Sequence, residues 1–142
     1  MSAARSRAVR SAETLPPQTN ERVEIRTDAL KGRGIFARTP IAPRTVIESA
    51  PVVLVPSQQC TLLDRTILHD YYFRWEGEPD GDGTGAVALG LVSLCNHSRQ
   101  PTARVRRNLA RTTLDLIALT PIAAGQEVTI DYHCTLWFEA QD

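Results

Sequence analysis

The residues best suited to chemistry are the amide, imidazole and hydroxyl groups of Asn96-His97-Ser98, which lie shortly after the apolar run 86–92. Polar side chains at the end of such a run are at least half-buried, and they are tolerated only when something hydrogen-bonds to them. That partner can be the backbone of a loop, or it can be a ligand. The triplet by itself leaves both interpretations open.

A second candidate is the tripeptide Gly32-Arg33-Gly34, which leads directly into the apolar segment 35–37. Because glycine has no Cβ, a backbone that contains it can approach a ligand closely. A glycine pair before a strand is also typical of an ordinary hairpin turn. Here too the pattern allows a ligand contact or a purely structural turn.

Composition sets the broad class of the protein. The 142 residues are 42% apolar with a formal net charge of +0, which predicts one domain with its own core and argues against nucleic acid as a partner. Cys60, Cys95 and Cys134 lack the paired spacing of a zinc site or disulfide framework, so we expect no metal and a reducing, cytoplasmic location. No apolar run has the length of a membrane span, so we expect no membrane partner.

The elements that must position these groups are mostly strands. Alternating or continuous apolar residues predict strands at 23–27, 35–37, 41–48, 51–56, 103–107, 113–119 and 128–131. Helical spacing predicts a helix at 61–72, and glycine and aspartate predict a loop at 80–85. Pro51 and Pro56 place their strand at a sheet edge or corner. The result is a mostly β domain with one or two short helices.

Four motifs in order are more specific than any one of them. Together they resemble the SET domain of protein lysine methyltransferases: Gly32-Arg33-Gly34-Ile35-Phe36-Ala37, Tyr71-Tyr72-Phe73-Arg74, Asn96-His97-Ser98 with Pro101, and Ala124-Gly125-Gln126-Glu127-Val128-Thr129-Ile130-Asp131-Tyr132. The resemblance extends over residues 21–138. It leaves 1–20, which are polar and lack apolar periodicity, as a flexible N-terminal arm, and 139–142 as a short C-terminal tail.

The resemblance implies a SET-domain (β-clip) fold of small sheets with a pseudoknot-like crossing, in which the segment after Asn96-His97 threads with the segment ending at Tyr132. The compact length is similar to that of minimal bacterial and viral members. The implied activity is S-adenosylmethionine-dependent methyl transfer to a lysine of a protein or peptide substrate. The alternative is a catalytically weak scaffold that binds peptide or cofactor, since a fold does not guarantee chemistry. An exposed apolar strand edge would also allow a homodimer.

The resemblance also assigns roles to single residues. Tyr132 would lie beside the transferred methyl group, and Tyr71 would form a second wall of the lysine channel. The backbone of Gly32, Arg33 and Gly34 would face the amino-acid end of the cofactor, and Asn96 and His97 its adenosine end. Trp137 or Phe138 would cover the adenine, or these aromatic residues would simply pack on the core.

The expected chemistry fits these residue types. A free lysine has a pKa near ~10.4, whereas the attacking amine must be neutral. An aromatic, poorly hydrated channel and a nearby sulfonium charge both lower that pKa, and tyrosine hydroxyls orient the nitrogen. No general-base carboxylate is required.

The chain departs from the family pattern at several positions. Arg99 and Thr102 stand where the family commonly has cysteine and asparagine. The cysteine-rich, zinc-binding tail of many relatives is missing, since only Cys134 follows Tyr132. Ile130 occupies a position at which some relatives use an aromatic residue to limit methylation. It would leave room for more than one methyl group.

Overall fold

The computed structural model describes residues 20–75 and 83–132. Within them the strands are β1 (Val23–Asp28), β2 (Gly32–Ala37), β3 (Val46–Val55), β4 (Phe73–Arg74), β5 (Gly85–Ala88), β6 (Asn96–His97), β7 (Ala103–Asn108), β8 (Thr113–Ala118) and β9 (Glu127–Ile130). One α-helix, α1 (Ser57–Leu63), and two 3-10 helices (Ile67–Asp70 and Leu91–Leu94) complete the regular structure of this part of the chain. The predicted mostly β class with short helices is confirmed.

A four-stranded sheet has the order β1-β2-β9-β6. β1 and β2 form an antiparallel hairpin in which Asp28 lies opposite Gly32. The Asp28 carboxylate accepts hydrogen bonds from the backbone N–H groups of Leu30 and Lys31 at 2.6 and 3.3 Å. Gly32 has a φ of 83°, a left-handed conformation that a side chain would strain. The first glycine of the tripeptide therefore ends a hairpin turn.

A five-stranded sheet has the order β4-β5-β3-β8-β7. β3 lies between β5 and β8 in this order, so the predicted edge or corner at Pro51 is not an outer edge of the sheet but a point where the pairing of β3 changes. β3 pairs with β8 as far as Pro51 and with β5 from Val52 onwards. Pro51 lies where the pairing changes from one neighbour to the other, and its carbonyl accepts the Leu89 N–H at 2.8 Å. The ladder therefore tolerates a residue without an N–H at this position.

The predicted helix at 61–72 is only partly correct. α1 begins earlier, at Ser57, and ends at Leu63, and a separate 3-10 helix follows at Ile67–Asp70. Thr66 separates the two, because its hydroxyl accepts the Leu68 N–H at 3.1 Å and so starts the second helix. Neither helix buries a residue, which explains why an apolar face did not extend the helix.

Both sheets contribute to one apolar core. Among its largest fully buried side chains are Ile35 of β2, Val128 of β9, and Leu114 and Leu116 of β8. Each such side chain contributes about 2 kcal/mol on removal from water. This shared core holds β2 and β9 in a fixed frame, from which polar residues at the strand ends project.

Candidate active site

The mid-chain polar triplet and the C-terminal tyrosine segment meet through strand pairing. β6 and β9 are parallel neighbours, with Asn96 opposite Thr129 and His97 opposite Ile130. The Ser98 N–H extends the pairing by donating to the Ile130 carbonyl at 2.9 Å. Parallel pairing brings the ends of both strands to the same side of the sheet. Tyr132, two residues beyond β9, is thereby placed beside His97.

The Tyr132 hydroxyl donates a hydrogen bond to the carbonyl oxygen of Cys95 at 2.6 Å. Burial raises the pKa of this phenol, and the nearby acidic groups Cys95, Tyr71, Asp70 and Glu127 raise it further. The group is therefore a neutral phenol at physiological pH. Because its proton is committed to Cys95, its oxygen lone pairs are the part that can accept a hydrogen from a bound molecule.

His97 holds Tyr132 through the tyrosine backbone. Its Nδ1 accepts the Tyr132 N–H at 3.0 Å, and the two rings lie 5.2 Å apart between centroids. In the neutral imidazole, a nitrogen that accepts a hydrogen bond leaves the proton on Nε2. The imidazole side chain thus orients the tyrosine segment.

Asn96 fastens the glycine tripeptide to β9. Its Nδ2 donates to the Arg33 carbonyl at 3.1 Å and to Glu127 Oε2 at 2.7 Å. The other carboxylate oxygen of Glu127 accepts from Lys31 Nζ at 2.7 Å. An amide nitrogen has two hydrogens, and both are used here. A bond from the Asn96 side chain to a cofactor would therefore have to come from its Oδ1.

Gly34 is required by this network for space. A Cβ at this position would lie 2.6 Å from Glu127 Oε2 and 2.8 Å from Asn96 Nδ2. Both distances are shorter than a Cβ tolerates, so a side chain here would push the ends of Glu127 and Asn96 out of their hydrogen bond. A Cβ at Gly32 would meet nothing within 4 Å, so that glycine serves its positive φ instead. Glycine is thus needed at Gly34 for space and at Gly32 for its backbone conformation.

The predicted catalytic tyrosines share an open cavity of ≈ 1490 Å³. Its lining includes both Tyr71 and Tyr132, together with Gly32, Arg33 and Asn96. Gly34 and His97 are not part of that lining, and they act on it through Asn96 and Tyr132. Among residues 20–75 and 83–132, no group of three or more His, Cys, Asp or Glu side chains could hold a metal ion.

The motifs that meet at this site are those of a known protein family. A family model described as the SET domain matches residues 32–133, which is more than half of the chain. The chain belongs to the SET domain family. The prediction made from the four motifs is thereby confirmed.

Several SET domain proteins are similar to this chain. A Schizosaccharomyces pombe protein, the histone-lysine N-methyltransferase specific for H3 lysine-37, is 32% identical over 124 residues, 87% of this chain and 81% of the relative. The solved structure of a Plasmodium falciparum protein described as a histone methyltransferase has a TM-score of 0.60 at 24% identity and covers 83% of this chain and 98% of that one. The Neurospora SET domain protein DIM-5, a histone lysine methyltransferase, has a TM-score of 0.65 at 18% identity and covers 80% of this chain and 52% of that one.

These comparisons bear on the predictions at two levels. The structural matches confirm the SET-domain fold. Because their sequence identities to this chain are below 25%, they show the fold alone. Family membership and the relative from Schizosaccharomyces pombe confirm the prediction of an enzyme of the protein-lysine methyltransferase class.

The SET domain departure at Thr102 has a structural replacement. Thr102 Oγ1 accepts the Thr129 N–H at 3.0 Å and donates to the Glu127 carbonyl at 3.1 Å. The Thr102 N–H donates in return to Thr129 Oγ1 at 3.3 Å. A hydroxyl that both accepts and donates thus ties β9 to the segment after Pro101. Arg99 is exposed and lies beyond β6.

Two further sets of residues bear on the sequence predictions. Trp137 and Phe138, proposed to cover the adenine, lie outside the described residues. Glu127 was part of a motif but received no role, although it joins Lys31 to Asn96. The signal that could have found it is the opposite charge of Lys31, immediately before the glycine tripeptide.

Proposed function

We propose that this chain transfers methyl groups from S-adenosylmethionine to the side-chain amine of lysine in a protein substrate. Bound in the cavity, S-adenosylmethionine would supply a methyl group on a sulfonium. A neutral lysine amine would attack that carbon, so that a C–N bond forms as the C–S bond breaks, sulfur leaves as a thioether and the product ammonium loses a proton to solvent. Support comes from membership of the SET domain family and from the relative that is specific for H3 lysine-37. A histone tail is accordingly the first substrate to test.

The observation that carries this proposal is the bond between the Tyr132 hydroxyl and the Cys95 carbonyl, 2.6 Å long, beside the cavity. It fixes a phenol oxygen and a carbonyl oxygen close together, both of which can accept hydrogens from a cationic methyl group or from an amine. Such C–H contacts are individually weak, so their value is in orienting the reacting groups. The raised pKa of Tyr132 keeps the phenol neutral and its geometry constant.

The tyrosines also act on the protonation state of the lysine. Tyr71 and Tyr132 are 37% and 55% exposed, so their rings would exclude water only once a lysine side chain lies between them, and poor hydration would then disfavour the charged ammonium. The incoming amine thereby loses its proton more readily than its ordinary pKa of ~10.4 permits. Ile130 is buried and contributes to the cavity lining without a large ring. We therefore propose that more than one methyl group can be added.

The residues near the glycine tripeptide suit the cofactor. The space beside Gly32 is open, and Arg33 and Asn96 line the same cavity. A guanidinium matches a carboxylate, and the Asn96 Oδ1 matches a donor such as an exocyclic amine. These residues would hold the two ends of S-adenosylmethionine. The cytoplasmic location expected from the cysteines is part of this proposal as well.

The test is a methylation assay with labelled S-adenosylmethionine, in which the full chain is incubated with histone octamers and with a whole-cell lysate. We expect label on lysine of one protein, and micromolar binding of the cofactor by calorimetry. A Tyr132→Phe variant supplies the matched blank. Cofactor binding without any labelled protein would favour the scaffold alternative. Absence of both would contradict the proposal.

A further inference from the structure

Glu48 of β3 binds two backbone N–H groups that lie 43 and 44 residues further along the chain. Its Oε2 accepts the Leu91 N–H and its Oε1 the Val92 N–H, both at 2.8 Å. Each carboxylate oxygen therefore has its own donor, and both hydrogen bonds are charge-assisted. These are the first two N–H groups of the 3-10 helix Leu91–Leu94, which have no partner within the helix.

The chain makes room for this carboxylate at Gly90. A Cβ there would lie 2.7 Å from Glu48 Oε2 and 2.8 Å from the Cβ of Ala50. The φ of Gly90 is −170°, which is ordinary extended backbone. Gly90 is thus needed for the close approach of Glu48 and not for its own conformation.

The 3-10 helix held by Glu48 ends at the reacting part of the molecule. The Cys95 N–H closes it by donating to the Val92 carbonyl at 3.2 Å, and Val92 and Cys95 are both buried. The next atom group along the chain is the Cys95 carbonyl, which accepts the Tyr132 hydroxyl. One short helical turn therefore links the carboxylate to that carbonyl.

The charge of Glu48 also acts on the Cys95 side chain. Burial raises the pKa of the Cys95 thiol, and the charges of Glu48 and Glu127 raise it further. The thiol is neutral and unreactive at physiological pH. Its residue is accordingly part of the site through its backbone.

We propose that Glu48 is a positioning residue for methyl transfer, because it fixes the turn that sets the Cys95 carbonyl against Tyr132. The inference rests on the proposed function. Without the carboxylate, two N–H donors at the start of the turn lose their acceptor, and the turn relaxes towards other partners. A four-residue turn transmits such a shift to its far end, where the carbonyl lies. Small displacements of reacting groups are costly for rate.

The experiment compares Glu48→Gln with the parent chain in the methylation assay. Glutamine keeps the length and one acceptor oxygen, but turns an NH2 group towards the second backbone N–H. We expect kcat to fall about tenfold or more, with KM and the cofactor Kd changed by less than about threefold. Glu24→Gln, at an exposed β1 carboxylate bound to Arg26, is the matched control and should leave both unchanged.

A double-mutant cycle separates positioning from general structural support. If Glu48 acts through the Cys95 carbonyl, its loss should cost much less in a Tyr132→Phe background, because that contact is already broken. Losses that multiply would overturn the inference, as would an unchanged kcat in Glu48→Gln. If that variant fails to fold, Glu48→Asp keeps the charge but shortens the reach to the two N–H groups, and should give the same selective loss of kcat. A parent chain that methylates nothing overturns the proposed function, whereas an active parent unaffected by Glu48→Gln overturns only this inference.

Discussion

The two sheets differ in whether the hydrogen-bonding capacity of their polar groups is used up within the protein. In the five-stranded sheet, Asp115 is 2% exposed and accepts four hydrogen bonds from the protein. Oδ1 accepts the hydroxyls of Ser49 and Thr113 at 2.7 and 2.9 Å, and Oδ2 accepts Arg106 Nη2 and Asn108 Nδ2 at 3.2 and 3.3 Å. Donors from β3, β7 and β8 thus converge on one carboxylate. We call this network closed, because all four donors belong to the protein.

The four-stranded sheet places its polar groups at a cavity instead. Asn96 donates to Glu127, the Tyr132 hydroxyl donates to the carbonyl of Cys95 beside Asn96, and Asn96 and Tyr132 line open space. Both regions use amides, carboxylates and hydroxyls, so residue type does not distinguish them. The difference is whether acceptor capacity remains on the open side. A closed network indicates stability, and an open one indicates binding.

The largest effect expected is on stability, from Asp115→Asn. Asparagine keeps one acceptor oxygen for the four donors and carries no charge, so the half-buried Arg106 guanidinium loses its anionic partner inside the network. Removing a charged acceptor from such a network costs about 3 kcal/mol. Urea unfolding at neutral pH measures it, and Asp28→Asn at an exposed turn is the control. A loss equal to that of the control would show that the closed network is not structural.

The same carboxylate predicts a pH dependence. Burial raises the pKa of Asp115, but hydrogen bonds from Ser49, Thr113, Asn108 and Arg106 outweigh it and lower the pKa below its usual value. A lowered pKa in the folded state contributes stability above the unfolded value of ~3.9, and this is lost as pH falls through the folded value. Parent and Asp115→Asn should therefore become more similar in stability on acidification. A constant difference between pH 7 and strongly acidic conditions would contradict this.

Tyr132→Phe tests the open network. The phenyl ring keeps the channel wall but removes both the bond to Cys95 and the oxygen that faces the cavity. We expect kcat to fall by about a hundredfold, equivalent to about 2.7 kcal/mol, while cofactor Kd and unfolding free energy stay near parent values. Steady-state kinetics and calorimetry measure these quantities. An equal loss of binding and rate would mean that Tyr132 serves the cofactor, not the transfer.

Local pattern predicted much of the fold because strand periodicity is a local property. Alternation of apolar residues correctly indicated β1 at 23–27 and β8 at 113–119. The long-range pairing of β3 was not visible, because nothing near Pro51 in sequence shows that its two neighbours exchange at that point. The helix at 61–72 was overextended because its apolar spacing reflects residues that the described structure leaves exposed.

The candidate site divides in the same way. The meeting of Tyr132 with His97 followed from resemblance, since residues 35 apart in sequence give no local sign of contact. Glu48 could not be assigned from sequence, because the segment it holds is 43 residues away. For Glu127 the one sign in the sequence was the opposite charge of Lys31 before the glycine tripeptide. A carboxylate in a strand is normally a solvent-facing residue. Only the fold reveals which backbone or amide donors it reaches.

Glu127→Gln sharpens the comparison within the open network. The change weakens the hold on Lys31 and Asn96 together, and so loosens the glycine tripeptide over the cavity. We expect the cofactor Kd to rise about tenfold, or about 1.4 kcal/mol, with kcat at saturation nearly unchanged. Glu24→Gln again supplies the control. A fall in kcat without a change in Kd would place Glu127 on the transfer side of the site.

The smallest effect concerns Lys31, the single lysine of the chain. The hydrogen bond from Lys31 to Glu127 raises the pKa of this amine, so it remains protonated to higher pH than a free lysine does. A protonated amine has no lone pair with which to attack a methyl group. We therefore expect no label on Lys31 in the parent chain, and slow labelling once Glu127→Gln removes the charge that holds it. Peptide mass spectrometry measures this, with Lys31→Arg as the blank. Labelling of Lys31 in the parent would show that its ion pair with Glu127 opens readily, and that this corner of the site is less fixed than the closed network around Asp115.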